Sequence, residues 1–104
     1  MLVEFAGKEY EVDHDGFLLD PSKWDPEWVT YIKNDEGITE LTADHWVVIN
    51  FVRKFYEINT TSPMVRKVSE GTQFSLKKIY ELFPSGPGKG ACKMAGLPRP
   101  SGCI

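Results

Sequence analysis

The sequence is poor in metal ligands: it has two cysteines, Cys92 and Cys103, and two histidines, His14 and His45. A structural zinc site takes four ligands, usually with cysteines two to four apart, and no such set exists. Ten residues separate the cysteines, so a thioredoxin-type C-x-x-C is absent too. The histidines, remote in sequence, read as ordinary surface or boundary residues. No apolar run approaches the roughly 20 residues that span a bilayer. The start, Met1-Leu2-Val3-Glu4, lacks the basic and apolar regions of a secretory signal, so a cytoplasmic location is expected. No Ser-His-Asp set is legible, and Gly86-x-Gly88-x-Gly90 lacks the strand and Lys-Ser/Thr context of a phosphate loop. With 104 residues there is one domain's worth of chain, too little for a two-lobed enzyme around a cleft.

What is present suffices for one modest core: 41% hydrophobic and 12% aromatic residues exclude a disordered chain. The net charge of −3 is unevenly spread, −8 over residues 1–61 and +5 over residues 62–104. A basic C-terminal face suits an anion, an acidic protein surface or a phosphate backbone. A solvated face that neutralises the acidic half is the plainer alternative.

Leu2, Val3 and Phe5, then Gly7-Lys8, then Tyr10 and Val12 predict a hairpin. Asp13-His14-Asp15-Gly16 is a second turn. The rest has helical periodicity. Asp25-Pro26 starts a helix as N-cap and first residue, with Trp28, Tyr31 and Ile32 as its apolar stripe, and the run 34–37 ends it. Thr42 caps the longest helix, about residues 43–58, with Val47, Val48, Phe51, Val52, Phe55 and Ile58 as the expected buried face. Ser62-Pro63 opens a short helix that Gly71 closes. Ser75 or its neighbour opens another, with Leu76, Ile79, Tyr80 and Phe83 on one side and Pro84 as its stop. One more short helix fits residues 86–95. Beyond Gly96, Pro98, Pro100 and Gly102 argue against a regular element.

Both cysteines lie in the last 13 residues. A disulfide there would stabilise by roughly 3 kcal/mol on the chain-entropy estimate. It would staple a tail, and cytoplasmic proteins seldom keep one. Redox or sulfur-transfer chemistry is the alternative. Cys103 is the penultimate residue of a Gly/Pro-rich arm that could extend about 25 Å from Gly96, far enough to present a thiol to another protein. Cys92 could then attack sulfur carried on Cys103, at an effective concentration on the order of millimolar. Lys89, Lys93 and Arg99 surround the pair; positive neighbours favour thiolates and attract oxyanions such as sulfite.

These residues carry a family likeness. The tail from Leu82 to Cys103, with Pro84-Ser85-Gly86-Pro87-Gly88-Lys89-Gly90-Ala91-Cys92-Lys93-Met94-Ala95-Gly96-Leu97-Pro98-Arg99-Pro100-Ser101-Gly102-Cys103, closely resembles the DsrC/TusE sulfur-relay family. Upstream, Gly16-Phe17-Leu18-Leu19, Trp24-x-Pro26-Glu27-Trp28, Glu36-Gly37-Ile38, Pro63-Met64-Val65-Arg66 and Tyr80-Glu81-Leu82-Phe83-Pro84 look like its blocks. The resemblance implies a mainly α fold: a small helical bundle with an N-terminal β-hairpin over residues 1–95, and a mobile C-terminal arm, residues 96–104, bearing Cys103. It implies a sulfur carrier, a protein co-substrate that is not catalytic alone, with Cys103 as the loaded residue. Having Cys92 as a second thiol resembles the DsrC branch, the gamma subunit of dissimilatory sulfite reductase. On that likeness the arm enters the alpha and beta subunits, and sulfur leaves bridged between Cys103 and Cys92 as a trisulfide. A membrane-bound electron-transfer complex reduces it to release sulfide. Siroheme and iron–sulfur clusters belong to the partner subunits, since two cysteines cannot hold a four-thiolate cluster.

Two other readings stay open. One is a persulfide relay, for tRNA thiolation as in the TusE branch or for sulfur oxidation. The other is a helix-turn-helix DNA-binding regulator built from residues 63–70 and 75–83, with Arg66, Lys67, Lys77 and Lys78 nearby. The acidic N-terminal half speaks against the latter, as it would repel phosphate. Trp24, Trp28 and Trp46 could form a stacking platform, but core or boundary packing is the simpler role.

Overall fold

The computed structural model describes residues 1–97. Two short antiparallel strands, β1 (Leu2–Phe5) and β2 (Lys8–Glu11), pair Val3 with Tyr10 and Phe5 with Lys8. Ala6 and Gly7 make the connection with φ of 54° and 77°, the two left-handed residues that match the twist of a tight hairpin. The chain then turns at residues 13–16 and bridges back, Val12 opposite Leu18. Four α-helices follow: α1 (Pro26–Asp35), α2 (Ala43–Asn59), α3 (Val65–Thr72) and α4 (Leu76–Leu82). A terminal helix closes the body, π-helical over Pro87–Cys92 and α-helical through Met94. None of these helices is long and apolar enough to cross a membrane.

The helix starts are set by local chemistry. Asp25 accepts from the Trp28 N–H at 2.9 Å, from the Tyr10 hydroxyl at 2.7 Å and from Lys8 Nζ at 3.1 Å, which fastens the hairpin to α1. Burial disfavours ionisation of Asp25, but these hydrogen bonds outweigh it and hold the carboxyl below the usual carboxylate range. Thr42 caps α2 through a capping box whose return partner is His45. The Thr42 N–H donates to His45 Nδ1 at 3.0 Å, so Nε2 carries the proton and donates to the Leu82 carbonyl at 2.9 Å, tying α2 to the end of α4. Ser75 caps α4 by accepting from the Lys78 N–H.

The core runs from the hairpin (Tyr10, Val12) through α1 (Trp28, Val29, Ile32) and α2 (Val48, Ile49, Val52) to the terminal helix (Ala91, Cys92, Met94, Ala95) and Leu97. Several expectations need correction. Val47 and Ile58 are exposed; Ile49 and His45 take their place on the buried face of α2. His45 is therefore interior, not a surface residue, while His14 is exposed. Leu76 and Tyr80 are exposed too, leaving Ile79 and Phe83 as the buried side of α4. Helix α3 begins at Val65, after Pro63, and passes through Gly71. There a Cβ would meet the Phe51 ring at 2.1 Å, so Gly71 is a packing contact, and the left-handed Gln73 ends the helix. The α3–α4 turn thus falls at residues 73–75. Of the cations noted there, Lys78 pairs with Asp44 at 2.7 Å and Lys67 with Glu70 at 3.9 Å.

Candidate functional site

The site is the end of the terminal helix, where Cys92 sits with no exposed surface. Helix ends leave carbonyls without intrahelical partners. Here Gly96, at φ 75°, ends the helix in a Schellman turn: the Gly96 N–H donates to the Lys93 carbonyl and the Leu97 N–H to the Cys92 carbonyl, each at 3.1 Å. In this turn the side chains at the Cys92 and Leu97 positions characteristically pack together, and both belong to the core. Gly96 is required twice over, by its φ and by space: a Cβ would lie 2.5 Å from Trp24 Cδ1.

Three side chains from elsewhere in the fold hold three successive carbonyls of the same turn. Trp28 Nε1–H donates to the Lys93 carbonyl at 2.8 Å. Trp24 Nε1–H donates to the Met94 carbonyl at 3.0 Å. Arg53 on α2 donates to the Ala95 carbonyl at 2.6 Å, and its guanidinium stacks 4.0 Å from the Trp24 ring centroid. Burial lowers the Arg53 pKa from its ordinary value, with Glu57 nearby opposing the shift. The start of the helix is held as well. Ser85 Oγ donates to Glu36 Oε2 at 2.9 Å, and Gly90 lets the backbone approach Phe83, whose Cβ lies 2.8 Å from where a Gly90 Cβ would be. Gly90 therefore serves close packing within the chain. Cys92 is thus set in a rigid frame.

Of the residues singled out from sequence, Cys92 is buried in the core, and the Lys93 side chain runs to Gly16 and Phe17. Lys93 is half-buried, its ammonium 5.4 Å from the Phe17 ring centroid and beside Gly16. Lys89 falls within the π-helical stretch. Arg99 and Cys103 lie outside the described residues, as does most of the expected arm. The first two residues assigned to that arm are packed: Gly96 against Trp24, and Leu97 at 2% exposure. Sequence reasoning missed Trp24, Trp28 and Arg53 as the clamp. A signal existed in the two indoles flanking the Asp25-Pro26 helix start, but nothing local pairs them with carbonyls 65 and 70 residues away. Beside Leu97 a groove of about 330 Å³ runs between Pro21 and the Arg53, Tyr56, Glu57 and Thr60 face of α2.

Comparison with known proteins gives this geometry a family. The model of the DsrC-like proteins matches residues 4–104. The chain belongs to the DsrC family. It is 57% identical over 102 residues to the gamma subunit of dissimilatory-type sulfite reductase from Nitratidesulfovibrio vulgaris (strain Hildenborough), covering 98% of this chain and 97% of that protein. It is 42% identical over 107 residues to the sulfurtransferase TusE of Escherichia coli (strain K12), covering 96% and 97%. Among solved structures, a chain of dissimilatory sulfite reductase I superposes with a TM-score of 0.93 at 59% identity, each chain covered in full. The oxidised gamma subunit from Archaeoglobus fulgidus superposes at 0.87 with 36% identity, also in full. The helical body with its N-terminal hairpin is thus the family's fold.

Proposed function

We propose that this chain is a sulfur-carrier co-substrate of dissimilatory sulfite reductase. Cys103 accepts sulfite-derived sulfur at an intermediate oxidation level, still bearing one oxygen, in the catalytic alpha and beta subunits, and the Cys92 thiol displaces that oxygen as water to form a Cys92/Cys103 trisulfide. Reduction of the trisulfide by a membrane-bound electron-transfer complex releases sulfide and restores both thiols. Lys89, Lys93 and Arg99 supply positive charge for sulfite and for the partner. Siroheme and iron–sulfur clusters belong to the partner subunits in this reading, and the cycle runs in the cytoplasm.

The observation that carries the reading is the placing of Cys92. The Leu97 N–H rests on the Cys92 carbonyl, so the residues that bring Cys103 depart from beside Cys92. A second thiol held at the tail's root suits a carrier that closes on its own cargo. The high identity to a sulfite reductase gamma subunit supports the choice of partner. The TusE likeness supports a second reading, a persulfide relay for tRNA thiolation or sulfur oxidation, in which Cys103 acts without Cys92.

Turnover with sulfite and the catalytic subunits, followed by mass analysis of the C-terminal peptide, separates the two. The trisulfide reading expects one extra sulfur atom bridging the cysteines in the native chain, cargo on Cys103 alone in Cys92→Ala, and none in Cys103→Ala. Unchanged sulfide release by Cys92→Ala would favour the simple relay. Sulfur found on a Cys92→Ala/Cys103→Ala chain would refute both.

A further inference from the structure

We propose that the groove beside Leu97 is a binding site for a small α-amino acid, with Arg53 taking the ligand's carboxylate and Glu57 its ammonium group. The choice of a sulfur-bearing amino acid, such as cysteine or its persulfide, rests on the relay reading; the site for a zwitterion rests on the groove alone.

Arg53 and Glu57 stand four residues apart on α2, the spacing at which opposite charges on a helix meet. They do not join: Glu57 acts on the guanidinium only through space. Arg53 turns instead to the Ala95 carbonyl and the Trp24 ring, and both charged residues line the groove. A guanidinium has five N–H donors, and among the described residues one of them makes a hydrogen bond. The cation is half-buried with no carboxylate seated on it among those residues, an arrangement that costs free energy until an anion arrives.

The rest of the lining suits the remainder of such a ligand. Pro21 and Leu97 give an apolar wall for its side chain, and Tyr56 and Thr60 bring hydroxyls that have no hydrogen-bond partner among the described residues. At about 330 Å³ the groove is at the small end of ligand-sized clefts, which fits a molecule of few atoms. A bare oxyanion would satisfy Arg53 but face the Glu57 carboxylate without a cation between them; a zwitterion satisfies both. A ligand side chain against Leu97 rests on the turn that covers Cys92.

The test titrates the reduced full-length chain with S-methyl-L-cysteine, whose blocked sulfur reacts with neither thiol, and follows backbone amide shifts by heteronuclear NMR. A ligand of so few atoms in an open groove binds with a dissociation constant on the order of millimolar. The expected result is a saturable shift at Tyr56, Glu57, Thr60 and Leu97. The N-acetyl compound, which lacks the ammonium group, and the amide, which lacks the carboxylate, bind at least about tenfold more weakly, the factor one charge-assisted hydrogen bond contributes. Glu57→Gln weakens the amino acid by the same factor and leaves the N-acetyl compound unchanged. Arg53→Met weakens the amino acid and leaves the amide unchanged. Because Arg53 also holds the Ala95 carbonyl, Glu57→Gln, a change at an exposed side chain, decides the matter should Arg53→Met not fold. Lys54→Gln, exposed and outside the groove, leaves binding unmoved. The absence of a saturable shift, equal binding of the three compounds, or the same shifts with sodium sulfate at matched ionic strength overturns the proposal. None of these measurements involves sulfite reductase or sulfur loading, so the site stands or falls separately from the relay.

Discussion

Replacing Gly96 with alanine strikes the terminal turn at the point where two constraints meet. A left-handed φ costs a residue with a Cβ about 1 kcal/mol. Gly7 isolates that cost: its φ is 77°, against 75° for Gly96, but a Cβ there would meet nothing within 4 Å. At Gly96 the added atom would lie 2.5 Å from Trp24 Cδ1 and 2.8 Å from its Cβ, so the indole must move from its root and not merely at its tip. Movement breaks the hydrogen bond to the Met94 carbonyl, worth about 1 kcal/mol, and the Arg53 stack, worth about 0.5–1 kcal/mol. Gly96→Ala is therefore expected to lose about 3 kcal/mol and Gly7→Ala about 1 kcal/mol. In thermal melts these are falls of about 12 °C and 4 °C for a domain of this size. Urea denaturation followed by far-UV circular dichroism gives the free energies, and Trp fluorescence reports the displaced indole. Equal losses for the two variants would show that the Trp24 contact contributes nothing and that the clamp is not a structural element.

Trp28→Phe keeps most of the buried ring and removes one of the two donors to the Lys93 carbonyl, which keeps the Gly96 N–H, so a loss of about 0.5–1.5 kcal/mol is expected in the same urea assay. Truncations after Gly96 and after Leu97 differ by one buried side chain and the hydrogen bond to the Cys92 carbonyl; the shorter chain should be less stable by about 2–4 kcal/mol, read by melting the two side by side. The pH profile of stability has two limbs from the hairpin–α1 joint. Asp25 is held below its ordinary pKa, so its contribution is present above the unfolded carboxyl value near 4 and is lost as pH falls through the lower folded value. Burial first, then the Asp25 hydrogen bond, pushes the Tyr10 phenol up; its contribution is present below about pH 10 and is lost as pH rises through the higher folded value. Tyr10→Phe should shrink both limbs, as monitored by urea midpoints across pH, with Lys8, whose pKa Asp25 and Glu27 raise, left on the alkaline side.

Local signals are legible in the sequence and long-range ones are not. Asp25-Pro26, Thr42 and Ser75 start helices because a cap is a contact over two or three residues, whereas the hairpin turn falls on the left-handed Ala6-Gly7, one residue before the Gly7-Lys8 that the sequence suggests, with Lys8 already in β2. Periodicity placed α2 but misassigned its face. Counting only apolar residues put Val47 and Ile58 inside and overlooked His45, a polar side chain that can be buried because both ring nitrogens are satisfied by Thr42 and Leu82. Gly71 read as a stop because a glycine inside a helix is unfavourable, and only Phe51, 20 positions earlier, explains why this one is kept. The same limit governs the site. The two cysteines and their basic neighbours stand together in sequence and were legible as chemistry. The frame that determines what Cys92 can do is assembled from Trp24, Trp28 and Arg53, each more than 40 residues from the carbonyl it holds. A thiol can be found from composition, but its burial is a property of the turn above it. That turn is held by Trp24 ahead of α1, Trp28 on α1 and Arg53 on α2, and the bonds of Trp24 and Arg53 satisfy carbonyls a helix end would otherwise leave bare.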